Sequence, residues 1–174
     1  MPCIAWELRL HQRDFALGIF VRSKLDEIDL RILRELQADG RMTNVELASR
    51  VGISPPPCLR RVRALEEAGL ITGYRAQLDE RKLGIEVVCF AFVHLASQAE
   101  ADLATFQQRI RNWGAVRECW TLSGDIDFIL KCVAPDLKAF QDFVGELTAL
   151  PNVRNVRTAL ALDRVKDEPI VPFG

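Results

Sequence analysis

Five arginines lie between positions 41 and 63, namely Arg41, Arg50, Arg60, Arg61 and Arg63, against one carboxylate, Glu46. In a chain of formal net charge −1 this is a local excess of positive charge. Guanidinium forks suit phosphate oxygens and guanine edges. A second cluster is the turn Gly124-Asp125-Ile126-Asp127. Its glycine permits close backbone approach, and its carboxylates suit an α-ammonium or a basic side chain. Exposed backbone N–H groups there suit an α-carboxylate. Each cluster has a plainer reading: a solvated helix face for the arginines, and a hairpin turn using Asp and Gly for conformation alone.

Catalysis and metal binding find little support. His11 and His94 are the only histidines, and Cys3, Cys58, Cys89, Cys119 and Cys132 are scattered without a Cys-x-x-Cys pair. No glycine-rich phosphate loop and no Gly-x-Ser-x-Gly occurs. The expectation is a non-enzyme without metal or cofactor. Its thiols stay free in a reducing cytoplasm, most of them packed as small hydrophobes.

The 174 residues suit two small domains, and 49% apolar with 27% charged side chains is an ordinary globular balance. No uninterrupted apolar run approaches the roughly 18 residues of a membrane span, so no membrane partner is expected. Glu7, Arg9, Arg13 and Asp14 break any secretory apolar region. Residues 1–23 show no clean period and read as an extension. It is either a helical arm that packs on a partner or untranslated sequence before a start near Val21.

The arginines are carried by three predicted helices. Asp26 caps the first, with Ile28, Ile32, Leu33 and Leu36 on one face and Gly40 ending it. Thr43-Asn44-Val45-Glu46 is a capping box opening the second, which stops at Gly52. Ser54 opens the third, with Cys58, Val62 and Leu65 at helical spacing. Small Ala48, then Gly52, then a connection of about four residues is the form of a helix-turn-helix, with a plain helical hairpin as the alternative. Arg60, Arg61 and Arg63 fall opposite the third helix's apolar stripe. Pro56 and Pro57 offer Ser54 no N–H to cap, so this helix is expected to begin nearer Pro56 or Pro57 than Pro55. Residues 70–78 read as a short strand turning at Gly73, a small wing.

The acidic turn is carried by a different pattern. Val87–Leu95 is apolar apart from His94, and residues 98–113 and 136–150 are amphipathic helices. Residues 115–122 and 126–134 are strands joined by Ser123-Gly124-Asp125, and 153–163 alternates as a last strand. Strand, helix, strand, strand, helix, strand is the ferredoxin-like βαββαβ order, with both helices on one face of an antiparallel sheet. The fold class is therefore α+β. A strand half open to water should alternate, yet 87–93 is apolar at both parities. A second copy of the sheet is the simplest cover, so self-association is expected. The boundaries follow: extension 1–23, DNA-binding domain 24–79, hinge 80–85 and second domain 86–174.

Leu25-Asp26-Glu27-Ile28-Asp29, Ile32-Leu33, Asp39-Gly40-Arg41, Glu46-Leu47-Ala48, Gly52-Ile53-Ser54-Pro55, Arg61-Val62, Leu65-Glu66, Gly69-Leu70-Ile71 and Gly73-Tyr74 stand in one order. Ser123-Gly124-Asp125-Ile126-Asp127-Phe128 and Val165-Lys166-Asp167 follow them. Over about residues 24–172 the chain closely resembles the Lrp/AsnC (feast/famine) transcriptional regulators. The resemblance implies a winged helix-turn-helix followed by a ligand-sensing RAM domain. It also implies dimers through the RAM sheets, assembly into tetramers or octamers, and an amino acid or related molecule bound between dimers near the Gly-Asp-x-Asp turn. Many members carry an aromatic at x where this chain has Ile126.

The expected DNA-binding residues are Thr43, Asn44, Ser54, Pro55, Pro57, Arg60, Arg61 and Arg63, acting on double-stranded DNA. The expected effector residues are Gly124, Asp125, Ile126 and Asp127, with an aliphatic or polar amino acid favoured over an aromatic one. A metabolite-binding module or enzyme on the ferredoxin-like half is the rival reading. A ligand-independent architectural DNA binder is another.

Overall fold

The helices of the N-terminal half begin where side chains can close their first turns. A computed structural model of the chain describes residues 25–168 and 171–173. The expected extension 1–23, with Cys3 and His11, lies outside them. The chain divides into two units, one of residues up to Ala76 together with the segment from Glu168, the other of Gln77–Asp167.

In the first unit, α1 spans Glu27–Ala38, α2 Asn44–Val51 and α3 Pro55–Glu67. Asp26 caps α1 by accepting from Asp29 N–H, and the Asp29 carboxylate accepts from Asp26 N–H in return. The helix ends at Ala38, with Asp39 as its C-cap, two residues before the expected Gly40. Thr43 and Glu46 close the capping box of α2, and Gly52 at φ 80° takes the left-handed turn that ends it. Ile32, Leu47, Ala48, Val51, Cys58 and Leu65 form one buried cluster among the three helices.

The third helix begins at Pro55, not at Pro56 or Pro57, and Ser54 makes no side-chain cap. The first turn of a helix needs no intrahelical N–H donors, and proline's fixed φ suits it, which outweighs the pre-proline bias. Residues 70–78 carry no strand pairing. Instead Leu70 and Ile71 both donate to Leu65 O, prolonging the end of α3. Residues 80–85 are no open hinge: Leu83 N–H donates to Asp79 O and Ile85 N–H to Glu80 O, while Arg164 holds the Glu80 carboxylate. The division falls earlier, at Ala76/Gln77, and the segment from Glu168 belongs with the first unit. There Val171 O accepts from Gln37 Nε2 at 2.7 Å, and Val171 and Phe173 join Leu30, Leu33 and Tyr74 around an apolar groove.

The second unit runs β1 Val87–Leu95, α4 Glu100–Arg111, β2 Val116–Thr121, β3 Phe128–Ala134, α5 Leu137–Thr148 and β4 Val153–Leu160. The sheet order is β2-β3-β1-β4, and every neighbouring pair is antiparallel. This is the expected ferredoxin-like arrangement. Cys89, Ala91, Val93 and Leu95 of β1 join Phe128, Leu130 and Cys132 of β3 against Phe106 and Ile110 of α4 and Phe143 and Leu147 of α5. Cys89 and Cys132 are directly opposite across the strands. Its hydrogen bond to Cys89 and burial push the Cys132 thiol up, so it stays protonated.

The other parity of β1 is Val88, Phe90, Phe92 and His94, all half-buried. Register places Val88 opposite Val133, Phe90 opposite Lys131 and Phe92 opposite Ile129, which in turn faces Trp120. Opposed residues share a face of the sheet. The face away from α4 and α5 therefore carries Val88, Phe90, Phe92, Ile129, Val133 and Trp120, the last 46% exposed. Lys131 also lies on this face, opposite Phe90 and between Ile129 and Val133, and pairs there with Glu118 at 3.0 Å.

Candidate functional site

The five arginines separate into two groups. Arg50 pairs with Glu35 at 3.1 Å, and Arg61 reaches Asp26 at 2.7 Å and Asp29 at 2.8 Å. Arg41, Arg60 and Arg63 are exposed and form no ion pair among the described residues. The geometry of α3 explains the difference. At about 100° per residue, positions 56, 59, 60 and 63 fall within one sector of roughly 100°. Buried Cys58 and Leu65 lie on the opposite side. Position 61 falls roughly 40° from Leu65, so its side chain is carried back towards the first helix.

Arg61 is thus corrected from an outward DNA contact to a clamp that fixes α3 on the cap of α1. The Asp29 N–H bond and the guanidinium of Arg61 hold the Asp26 carboxyl below the usual carboxylate range. Arg61→Ala is expected to lower the stability of the first unit by about 1 kcal/mol, because the pair is partly exposed. It should leave the salt dependence of DNA binding unchanged. Chemical denaturation and a salt titration of DNA affinity check the two halves of that statement.

The remaining residues expected to touch DNA are brought to the junction of α2 and α3. Thr43 is bound up in its own capping box, its Oγ1 donating to Glu46 Oε2 at 2.7 Å. Asn44 Nδ2 donates to Pro55 O at 2.8 Å, tying the start of α2 to the start of α3, while its Oδ1 has no partner. Pro55, Pro56 and Pro57 carry no N–H, and Cys58 N–H donates to Ser54 O. None of the first four residues of α3 therefore has a backbone N–H free for a phosphate, and the Ser54 hydroxyl makes no cap bond. Binding at this helix falls to side chains. Leu59, 40% exposed, and exposed Pro56 share the sector of Arg60 and Arg63. Apolar type hid both; the helical period could have found them.

The acidic turn is also divided. Gly124 sits at φ 123°, a conformation that L side chains rarely adopt. Leu122 N–H donates to Asp127 O, closing the loop, and Asp125 is exposed with Ile126 half-buried. Asp127 is different: it is 7% exposed, the one buried charged side chain among the described residues. Its Oδ2 accepts from Leu95 N–H and its Oδ1 from Gln98 Nε2, both at 2.7 Å. The expectation that Asp127 offers its carboxylate to a ligand is corrected: the end of β1 and the residues before α4 occupy both oxygens. Asp125 is the free carboxylate of the turn. Thr121 and Phe128, which flank the loop, line a cleft of about 410 Å³ between α4 and β2 together with Gln107, Arg111 and Cys119. Sequence spacing gave no sign of this cleft.

Asp127→Ala should destabilise the second unit by about 2–3 kcal/mol, since a buried N–H loses a charged acceptor. Thermal unfolding reads this directly. A variant as stable as wild type would show that Leu95 N–H finds another partner.

Residues 25–72 match the family described as winged helix-turn-helix DNA-binding, and residues 88–171 the Lrp/AsnC ligand binding domain. The leucine-responsive regulatory protein of Rhizobium meliloti (strain 1021) is 60% identical over 148 residues, 84% of this chain and 95% of the relative. The chain belongs to the Lrp/AsnC family of transcriptional regulators. The leucine-responsive regulatory protein of Escherichia coli (strain K12) is 43% identical to this Lrp/AsnC regulator over 82% of the chain and 87% of the relative. Among solved structures, a Neisseria meningitidis transcriptional regulator in complex with L-Met superposes with TM-score 0.82 at 35% identity. It covers 86% of this chain and 97% of that one. E. coli AsnC superposes with TM-score 0.77 at 26% identity, covering 85% and 99%. Like them, this Lrp/AsnC regulator joins a helix-turn-helix to a ligand-binding α+β domain. Among its described residues no helix is long and apolar enough to cross a membrane.

Proposed function

We propose that this regulator binds operator DNA through Arg60 and Arg63 of α3 and changes that binding when an aliphatic amino acid occupies the turn at Gly124–Asp127. The observation that carries the proposal is the separation of parts on one chain: an unpaired guanidinium face on a helix-turn-helix, then a distinct ligand-binding unit. A helix so placed enters the major groove, where arginine forks bind phosphates and guanine O6 and N7.

The named relatives are leucine-responsive, and one solved neighbour holds L-Met. Both point to an aliphatic effector for this chain. Ile126 agrees, because a branched aliphatic side chain offers no planar surface for an aromatic ligand to stack on. In this reading Asp125 pairs with the α-ammonium, exposed N–H groups of the turn take the α-carboxylate, and Asp127 keeps the loop in shape. Two copies meet through the apolar sheet face, and dimers assemble further into tetramers or octamers. A ligand shared between dimers would favour whichever assembly forms the better pocket.

Calorimetry with all twenty common amino acids tests the sensor. Leucine, methionine or another aliphatic amino acid should bind, and Asp125→Ala should weaken it at least tenfold. Binding that is unchanged in Asp125→Ala would place the sensor elsewhere.

A further inference from the structure

The face of α3 that the guanidiniums occupy is not wholly polar. Its sector begins with Pro56 and Leu59, both exposed, continues through Arg60 and Arg63, and ends at Glu67. Leu59, 40% exposed, is the one large aliphatic side chain in that sector. A single exposed leucine is ordinary on any surface. This one lies in the half of the helix that a helix-turn-helix carries deepest into the major groove. Pro56 precedes it by three residues, so the two apolar surfaces are contiguous. None of the first four residues of α3 has a backbone N–H free to bind a phosphate, because positions 55–57 are prolines and Cys58 N–H is taken by Ser54 O. The first turn of α3 is therefore apolar and without a free backbone donor, with its cations set one turn further along.

In the major groove only one base-pair feature is complementary to such a tip, the C5-methyl group of thymine. We infer that Leu59, backed by Pro56, reads a thymine methyl next to the base or phosphate engaged by Arg60, making Leu59 a specificity-determining residue. Arg60 and Arg63 supply attraction, and Arg63 at the next turn extends it along the groove. Glu67 sets the far limit of the contact by repelling phosphates. The inference rests on the reading of α3 as the DNA-binding helix.

The probe is a duplex pool selected from random sequence by the full-length wild-type protein, then copied once with dTTP and once with dUTP. The two copies differ only in the thymine methyl groups. Wild-type protein should bind the uracil copy roughly four- to fifteen-fold more weakly, the value of one methyl in one or two half-sites. Leu59→Ala should bind the thymine copy about as weakly as wild type binds the uracil copy, and lose little more on uracil. Leu59→Met, which keeps an apolar reach, should retain most of the preference. Equal binding of both copies by wild type, or an undiminished preference in Leu59→Ala, overturns the inference. If Arg60→Ala still weakens both copies in either case, the DNA-binding face itself stands. If Arg60→Ala and Arg63→Ala also bind like wild type, that face is misassigned.

Discussion

Arg60→Ala and Arg63→Ala should each weaken operator binding by about 1–3 kcal/mol per half-site, and the double variant by a hundredfold or more in affinity. Both side chains are exposed, without ion-pair partners among the described residues, and turned away from Cys58 and Leu65. Their removal therefore costs the fold little. The two contact types are separable by salt. A lost phosphate contact lowers the slope of log affinity against log salt by about one and weakens all sequences alike. A lost guanine contact leaves the slope nearly unchanged and relaxes preference at one base position. Arg61→Ala is the internal control, because its guanidinium is already held by Asp26 and Asp29. Arginine variants that bind like wild type at moderate salt would rule out this face of α3.

Phe90→Asp or Phe92→Asp should convert the assembled protein into folded monomers. The two phenylalanines belong to the sheet face that α4 and α5 leave open, where Val88, Ile129, Val133 and Trp120 extend the apolar surface. Across a two-fold axis each substitution is made twice. At about 2 kcal/mol or more per central aromatic, the dissociation constant should rise roughly a thousandfold. Ala91→Asp, one residue away, should do something else. Ala91 is fully buried against the helices, so a carboxylate there unfolds the unit rather than separating its copies. Sedimentation velocity with circular dichroism distinguishes the outcomes. A wild-type chain that is a stable monomer at micromolar concentration would contradict the sheet-face dimer.

Much of this architecture is legible in the residues. The cap at Asp26, the capping box at Thr43, the stop at Gly52 and the apolar periods of both halves are local signals, and the structure honours them. The doubly apolar β1 was readable too, because one parity meets the helices and the other the open face. What escaped depends on contacts distant in sequence. Arg61 belongs to a run of arginines by sequence and to Asp29 by space. Asp127 looks like half of a ligand-binding pair, yet Leu95 and Gln98, about 30 residues earlier, occupy it. Residues 70–78 have strand-forming side chains, but pairing needs a neighbour, and the end of α3 takes the backbone of Leu70 and Ile71 instead. Leu59 was overlooked because an apolar side chain on a DNA-facing helix does not announce itself by charge.

Occupancy of the second unit is expected to alter DNA binding by the first. The most direct test is the affinity of the full-length protein for one selected operator duplex, measured by fluorescence anisotropy at fixed salt with and without each amino acid. Coupling of the usual size, about 1–3 kcal/mol, predicts a 5- to 150-fold change with an aliphatic amino acid, lost in Asp125→Ala. An affinity that stays the same in the presence of every amino acid would mean that no such coupling exists and leave a DNA binder that senses none of them.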